Sequence, residues 1–354
     1  MTAFFDLLKG DALERLKSVP SNSVHAVITD PPYGLTAGHD TPTMMKCWVE
    51  GKTYFNQKMG YAGTSWDSTT PQPELFQEVA RVLMPGGFLL AFGATRTIHL
   101  TAISLEFAGL EIRDTLNWVY APGCQRSKDL STYDELKNSP EEKRMLEGRR
   151  PTLRPGFELI TVARKKLYEN QNLLGSVQKY GIGAIDHNAF LDKPNRVATN
   201  VLAVHDLGCD KFACICGVSA DPATKYATPI FPKSEISFPS LQVAKPKPSE
   251  RPKSADGTVH ETVKPVALMR TLIRAFSAPG QIVLDPYLGS GTTAEAALIE
   301  GRHIVGCEIT PKYWELIESR YNSLKMSGFD VRQGSPFSLQ STSVLSNNIA
   351  APSI

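Results

Sequence analysis

No stretch of the 354 residues holds eighteen consecutive apolar positions, so the sequence offers no transmembrane helix. The opening MTAFFDLLKGD carries an acid early and has no basic region ahead of an apolar one, so no secretory leader is visible. Cysteine is scarce: six residues, scattered, form no disulfide framework, and a reducing cytoplasm is the expected compartment. There is no internal repeat, and the net charge is only +2. These absences set aside membrane proteins, disulfide-stapled mini-domains and repeat arrays. The remaining composition, 42% hydrophobic and 21% charged, suits a globular chain of one large domain or two ordinary ones.

The small total charge hides an asymmetry. Lys143, Arg144, Arg149, Arg150, Arg154, Arg164, Lys165 and Lys166 face only Glu147 and Glu158 in the same segment, and VAKPKPSERPKS is a second cationic stretch. Clusters of this kind suit a polyanion partner, and a solvated surface is the bland alternative. Over the first 120 residues strand-like and helix-like patterns alternate, which implies a mostly parallel α/β sheet. IRDTLNWVYAPG and FELITVARK read as two further strands, an antiparallel pair at its edge. PELFQEVARVLM has helical spacing and is expected to stop at Pro85-Gly86-Gly87. Residues 34–70 show no period and read as a long loop. The texture changes at 167–255, rich in Pro, Asn, Asp and Lys, and the α/β pattern resumes at 256. From 326 to 354 the chain is Ser/Asn-rich and reads as a disordered tail.

Two strand ends carry the chemistry. The run Val24-His25-Ala26-Val27-Ile28 breaks into TDPPYGL, where Pro31 and Pro32 have no N–H to continue a ladder. They hold the Asp30 carboxylate and the Pro31 carbonyl in fixed directions at the carboxyl end of a strand, the edge where open α/β sheets bind ligands. A plain proline turn is the alternative. Further on, VLDPYLGSGTTAEAALIEG ends a strand at Asp285, turns through Gly289 and Gly291, and begins a helix near Thr292. The next strand ends in Glu308, 23 residues after Asp285, placed to hold the two hydroxyls of a ribose. The loop is not the G-x-G-x-x-G dinucleotide fingerprint, which counts against NAD.

DPPYG together with DPYLGSGTT resembles the S-adenosylmethionine-dependent DNA amino-methyltransferases, in the motif order of their beta class. HETVKP at 260–265 and KGDALERL at 9–16 resemble two further elements of that family, and the joint match covers roughly 1–166 and 256–325. The resemblance implies a Rossmann-like class I methyltransferase fold, a seven-stranded, mostly parallel sheet with helices on both faces. It also implies a catalytic core split into 1–166 and 256–325, with a loop-rich target-recognition domain at 167–255. It makes Asp30, Pro31, Pro32 and Tyr33 the catalytic set. Asp11, His260, Thr262, Lys264, Asp285, Tyr287, Gly289, Ser290, Gly291, Thr292 and Glu308 become S-adenosylmethionine contacts, although the HETVKP segment also reads as a helix cap. Double-stranded DNA is then the substrate, in a bacterial or phage-infected cell, and the cationic cluster offers Arg149, Arg150 and Arg154 to grip it. A homodimer and a cognate restriction nuclease are candidate partners.

Under this resemblance Asp30 and the Pro31 carbonyl would localise the lone pair of an exocyclic base amine, while Tyr33 stacks on a flipped-out base. Asp rather than Ser at the first motif position favours adenine N6 over cytosine N4. An RNA methyltransferase and a non-catalytic DNA-binding relative are further alternatives. Carbon-5 methylation is disfavoured, because the chain has no Pro-Cys dipeptide. Trp118 reads either as a base-pocket wall or as core. His205, Cys209, Cys214 and Cys216 match no standard zinc spacing, so buried thiols are the expectation and no metal is assigned.

Overall fold

Continuous apolar runs become the central strands, as a parallel sheet covered on both faces requires. In the computed structural model these are β1 (Ala3–Lys9), β2 (Val24–Thr29) and β3 (Leu83–Gly93). They are joined later in the chain by β4 (Leu110–Val119), β5 (Phe157–Lys165), β6 (Val201–Leu202), β7 (Ile282–Asp285), β8 (His303–Glu308) and β9 (Val331–Gln333). Residues 2–35, 40–56, 67–68, 70–119, 128–136, 139–153, 156–190, 200–202, 251–253, 257, 260 and 262–339 are described. The chain divides into a larger unit, Met1–Leu116, Leu159–Asn200 and Lys245–Ile354, and a smaller one, Asn117–Glu158 and Val201–Ala244.

The sheet of the larger unit runs β4-β5-β3-β2-β7-β8-β1-β9. Pairing is parallel from β3 through β9, and β5 enters antiparallel to β3. Among the described residues the larger unit therefore contributes eight strands to the sheet rather than seven. The extra strand is β9, which adds to β1 where a disordered tail was expected; the helix α9 (Pro311–Met326) leads into it. Helices α1 (Ala12–Leu16), α3 (Pro73–Val82), α4 (Ile98–Phe107), α7 (Val266–Phe276) and α8 (Thr292–Ile299) accompany the strands, and none among the described residues is long and apolar enough to cross a membrane. Helix α3 buries Leu75, Phe76, Val79 and Val82, the face its spacing predicts, against the strand residues Val24, Val27, Leu83 and Leu89.

Three expectations meet a different outcome. Pro85-Gly86-Gly87 lies inside β3 instead of ending α3. The register against β2 shifts between Val24 and Ala26, and a Cβ on Gly87 would stand 2.8 Å from the His25 carbonyl, so the glycine permits this approach. The 34–70 stretch contains α2 (Thr41–Val49), capped by the Asp40 carboxylate on the Thr43 N–H and started by Pro42, with Met44 and Trp48 buried. Residues 167–200 belong to the larger unit. There α6 (Leu173–Tyr180) follows an Asn172 cap, Gln281 donates to the Tyr180 carbonyl, and Asp186 N–H bonds to the Ala275 carbonyl.

In the smaller unit, Asn117 and Trp118 of β4 pair in parallel with β6, and Trp118 is buried. Around α5 (Pro140–Leu146), Asp129 accepts from the Ser131 hydroxyl and N–H and from the Gly148 N–H. Residues 203–250, with His205, Cys209, Cys214 and Cys216, lie outside the described residues.

Candidate active site

Four neighbouring parallel strands, β2, β7, β8 and β1, bring their carboxyl ends to one edge of the sheet. Register places Asp285 beside Gly306 and Glu308 beside Lys9, so Asp30, Asp285, Glu308 and Asp11 converge where an α/β sheet opens its ligand crevice. A cleft of about 350 Å³ lies there, large enough for a ligand of cofactor size. Asp30 and Pro32 line it, together with Asp11, His260, Thr262, Lys264, Asp285, Tyr287, Gly289, Ser290, Thr292 and Glu308. Pro31, Tyr33 and Gly291 do not. Gly291, at φ +82°, instead lets α8 begin against α9, since a Cβ there would stand 3.3 Å from Ile317.

The two motifs are tied together beneath the cleft. The Thr29 hydroxyl donates to Asp285 Oδ1 at 2.7 Å, and the Tyr287 N–H donates to the same oxygen at 3.0 Å. Burial pushes the Asp285 carboxyl up to about 6. Glu308 accepts from Gly289 N–H at 2.8 Å and Thr310 N–H at 2.7 Å, which fixes the glycine turn to the end of β8; burial raises its carboxyl as well. Asp11 caps α1 by accepting from Glu14 N–H.

At the proline end the geometry is tighter. Tyr33 OH donates to Asp30 Oδ1 at 2.7 Å, and Lys264 Nζ donates to Asp30 Oδ2 at 2.5 Å and to Tyr33 OH at 3.0 Å. The ammonium also lies 4.9 Å from the centre of the Phe92 ring and is only 8% exposed. Lys264, expected at the cofactor, therefore sits on the Asp30 carboxylate. His260 is held differently: Thr262 N–H donates to Nδ1, which leaves the ring proton on Nε2, and the ring lies 4.5 Å from that of Tyr313. Burial, followed by the charges of Lys264, Lys312 and Arg320, lowers His260 to about 4, so it is neutral at pH 7.

A family model described as DNA methylase matches residues 24–319. The chain belongs to the N6/N4 DNA methylase family. The type II methyltransferase M.HindIII of Haemophilus influenzae is 24% identical over 324 residues, covering 85% of this chain and 90% of that one. M.HpaI of Haemophilus parainfluenzae is 23% identical over 327 residues, 92% and 76% of the two chains. Among solved structures, the PvuII DNA methyltransferase, cytosine-N4-specific, has a TM-score of 0.50 at 15% identity, over 91% of this chain and 87% of that one, a likeness of fold.

S-adenosylmethionine is the cofactor of this methylase, and the strand ends fit it. Gly289, at φ +55°, leaves a cradle that a side chain would fill, because its Cβ would meet His260 Nε2 at 3.0 Å. Thr70, which sequence reasoning missed, lines the cleft with its hydroxyl buried and without a hydrogen-bond partner. The charges also suit a sulfonium: Lys264 is matched by Asp30, His260 is neutral, and Asp11, Asp285 and Glu308 supply carboxylates. Cys307 also lines the cleft, and burial pushes its thiol up to about 12, so it offers no thiolate nucleophile. Among the described residues no cluster of His, Cys, Asp and Glu could hold a metal ion.

Of the three arginines expected at DNA, Arg149 is exposed in the smaller unit, Arg150 lies 3.6 Å from Asp129, and Arg154 falls outside the described residues.

Proposed function

We propose that this methylase transfers the methyl group of S-adenosylmethionine to the exocyclic N6 of adenine, in a base turned out of double-stranded DNA at a specific site. The observation that carries the reading is the seating of Asp30, at the end of β2, in the same cleft as the glycine turn. An exocyclic amine is a poor nucleophile because its lone pair is spread into the ring. Acceptors aimed at its hydrogens localise that pair as the nitrogen becomes tetrahedral, which is stabilisation directed at the transition state. A carboxylate accepts through several lone pairs, so Asp30 can take an amine hydrogen while it accepts from Tyr33 and Lys264. The bound cofactor supplies an electrophilic methyl on a sulfonium. Held within one cleft, amine and methyl react without the entropy cost of a bimolecular encounter.

Asp30 within DPPY supports adenine over cytosine. Arg149, Arg150 and Arg154 supply phosphate contacts in this reading. The type II names of the two Haemophilus relatives support a modification role beside a cognate nuclease, and a homodimer is compatible with it. The test is nucleoside mass spectrometry of DNA from cells expressing the protein. N6-methyldeoxyadenosine as sole product is expected; N4-methyldeoxycytidine would retain the family, cofactor and amine chemistry but overturn the choice of base.

A further inference from the structure

Three consecutive backbone N–H groups just after the two prolines point at a single carboxylate. Tyr33 and Gly34 donate to Asp67 Oδ1 at 2.8 and 2.9 Å, and Leu35 donates to Oδ2 at 3.2 Å. Gly34 is left-handed at φ +61°, so the stretch forms a concave nest of the kind that binds anions. Asp67 comes from 33 residues further on, between α2 and α3, and is 2% exposed. A carboxylate this deep is costly unless several donors satisfy it, and the nest provides them. From the other side the Thr97 hydroxyl donates to the Tyr33 carbonyl, and Arg96 donates to the Leu35 carbonyl, both at 2.6 Å. Among the described residues Tyr33 links this clasp to the chemistry, for its hydroxyl donates to Asp30 Oδ1. Asp67 itself does not line the cleft.

We propose that Asp67 is a positioning residue for methyl transfer: its carboxylate is a built-in anion that seats the Tyr33–Leu35 backbone and thereby aims Tyr33 and Asp30. It acts on the chemical step and leaves cofactor binding alone. This rests on amine methylation by the family and is independent of the choice between adenine and cytosine.

The test measures turnover of Asp67→Ala and Asp67→Asn with tritiated S-adenosylmethionine on unmodified bacterial DNA, counting label on either base, with cofactor affinity taken by calorimetry. A misplacement of the reacting groups predicts a fall in kcat of roughly 100-fold for Asp67→Ala and about tenfold for Asp67→Asn, with cofactor Kd within about twofold. Sodium formate, small enough for the emptied nest, should restore Asp67→Ala about fivefold or more. Sodium chloride at equal ionic strength should not, and wild type should not respond to formate. Unchanged turnover in either variant overturns the assignment, as does a loss in Asp67→Ala that formate leaves untouched. Should Asp67→Ala fail to fold, the isosteric Asp67→Asn decides alone: wild-type kcat overturns the proposal, and a loss confined to kcat upholds it.

Discussion

Lys264 and Gly289 both line the cleft, one bonded to Asp30 and the other to Glu308. Lys264 is committed to Asp30 and Tyr33, so Lys264→Met should slow methyl transfer by roughly 10- to 100-fold through the disturbed carboxylate. Its S-adenosylmethionine Kd, measured by calorimetry, should stay within about threefold; a tenfold rise would make Lys264 a cofactor ligand. Gly289→Val should do the opposite. Its φ of +55° disfavours a β-branched residue by ~1–3 kcal/mol, and its Cβ would press on His260 Nε2. Cofactor affinity should fall about tenfold or more, and unchanged affinity would mean that the glycine turn does not face the cofactor. At this scale the sequence was informative where chemistry and position coincide: an acid that ends an apolar run, or a glycine that follows one, can be read locally. Asp67 could not be read in this way. The three N–H groups of its nest lie more than thirty residues away, and nothing beside it in the chain announces a nest.

Among the elements, β2 and β7 are joined by more than their ladder. His25 Nδ1 accepts the Ile282 N–H at 3.1 Å where β7 begins, and burial, with a contribution from His303, lowers His25 to about 4. The unfolded ring titrates near its ordinary value of 6.5, so between 6.5 and 4 protons bind the unfolded chain in preference. The stabilisation is complete above pH 6.5 and is lost as the pH falls toward 4. Replacing His25 by Gln keeps an acceptor but no titration, so its thermal midpoint should fall less between pH 7 and 4.5 than that of wild type. Parallel slopes would contradict the assignment. Strands were legible because continuous apolar runs have few other uses. Helix α2 was hidden because only Met44 and Trp48 among its first eight residues are buried, too sparse a stripe to show a period, although Asp40 and Pro42 mark its start. Strand β9 is three residues long and exists only because β1 offers an open edge, which no local pattern records.

For the whole molecule, the motif order reads as a core split between the two ends of the chain, whereas the limits of the smaller unit leave no mark in the sequence. It takes in Asn117–Glu158, which reads as edge strands and a basic loop, and it leaves 167–200 to the larger unit. Composition changes at 167, but the hydrogen bonds that decide membership, such as Asp186 to Ala275 and Gln281 to Tyr180, span tens of residues. The basic stretch in the smaller unit leads to a prediction about DNA. Neutralising Arg149, Arg150 and Arg154 should weaken binding on all sequences and lower the salt slope by up to ~3, about one for each phosphate left without its arginine. Arg150, already beside Asp129, should contribute least. A loss restricted to one sequence, in a filter-binding salt titration, would make these residues base readers.

The central claim is that Asp30 acts on the amine of a DNA base inside a cleft that holds the cofactor independently of it. A single-turnover transfer from methyl-tritiated S-adenosylmethionine to unmodified DNA, run with wild type and Asp30→Ala and followed by nucleoside digestion, tests it most directly. The account predicts label on the exocyclic amine with wild type and none above background with Asp30→Ala, while the variant binds cofactor within a few-fold of wild type. Transfer by Asp30→Ala at a near-normal rate, or label on carbon-5 of cytosine, would contradict it.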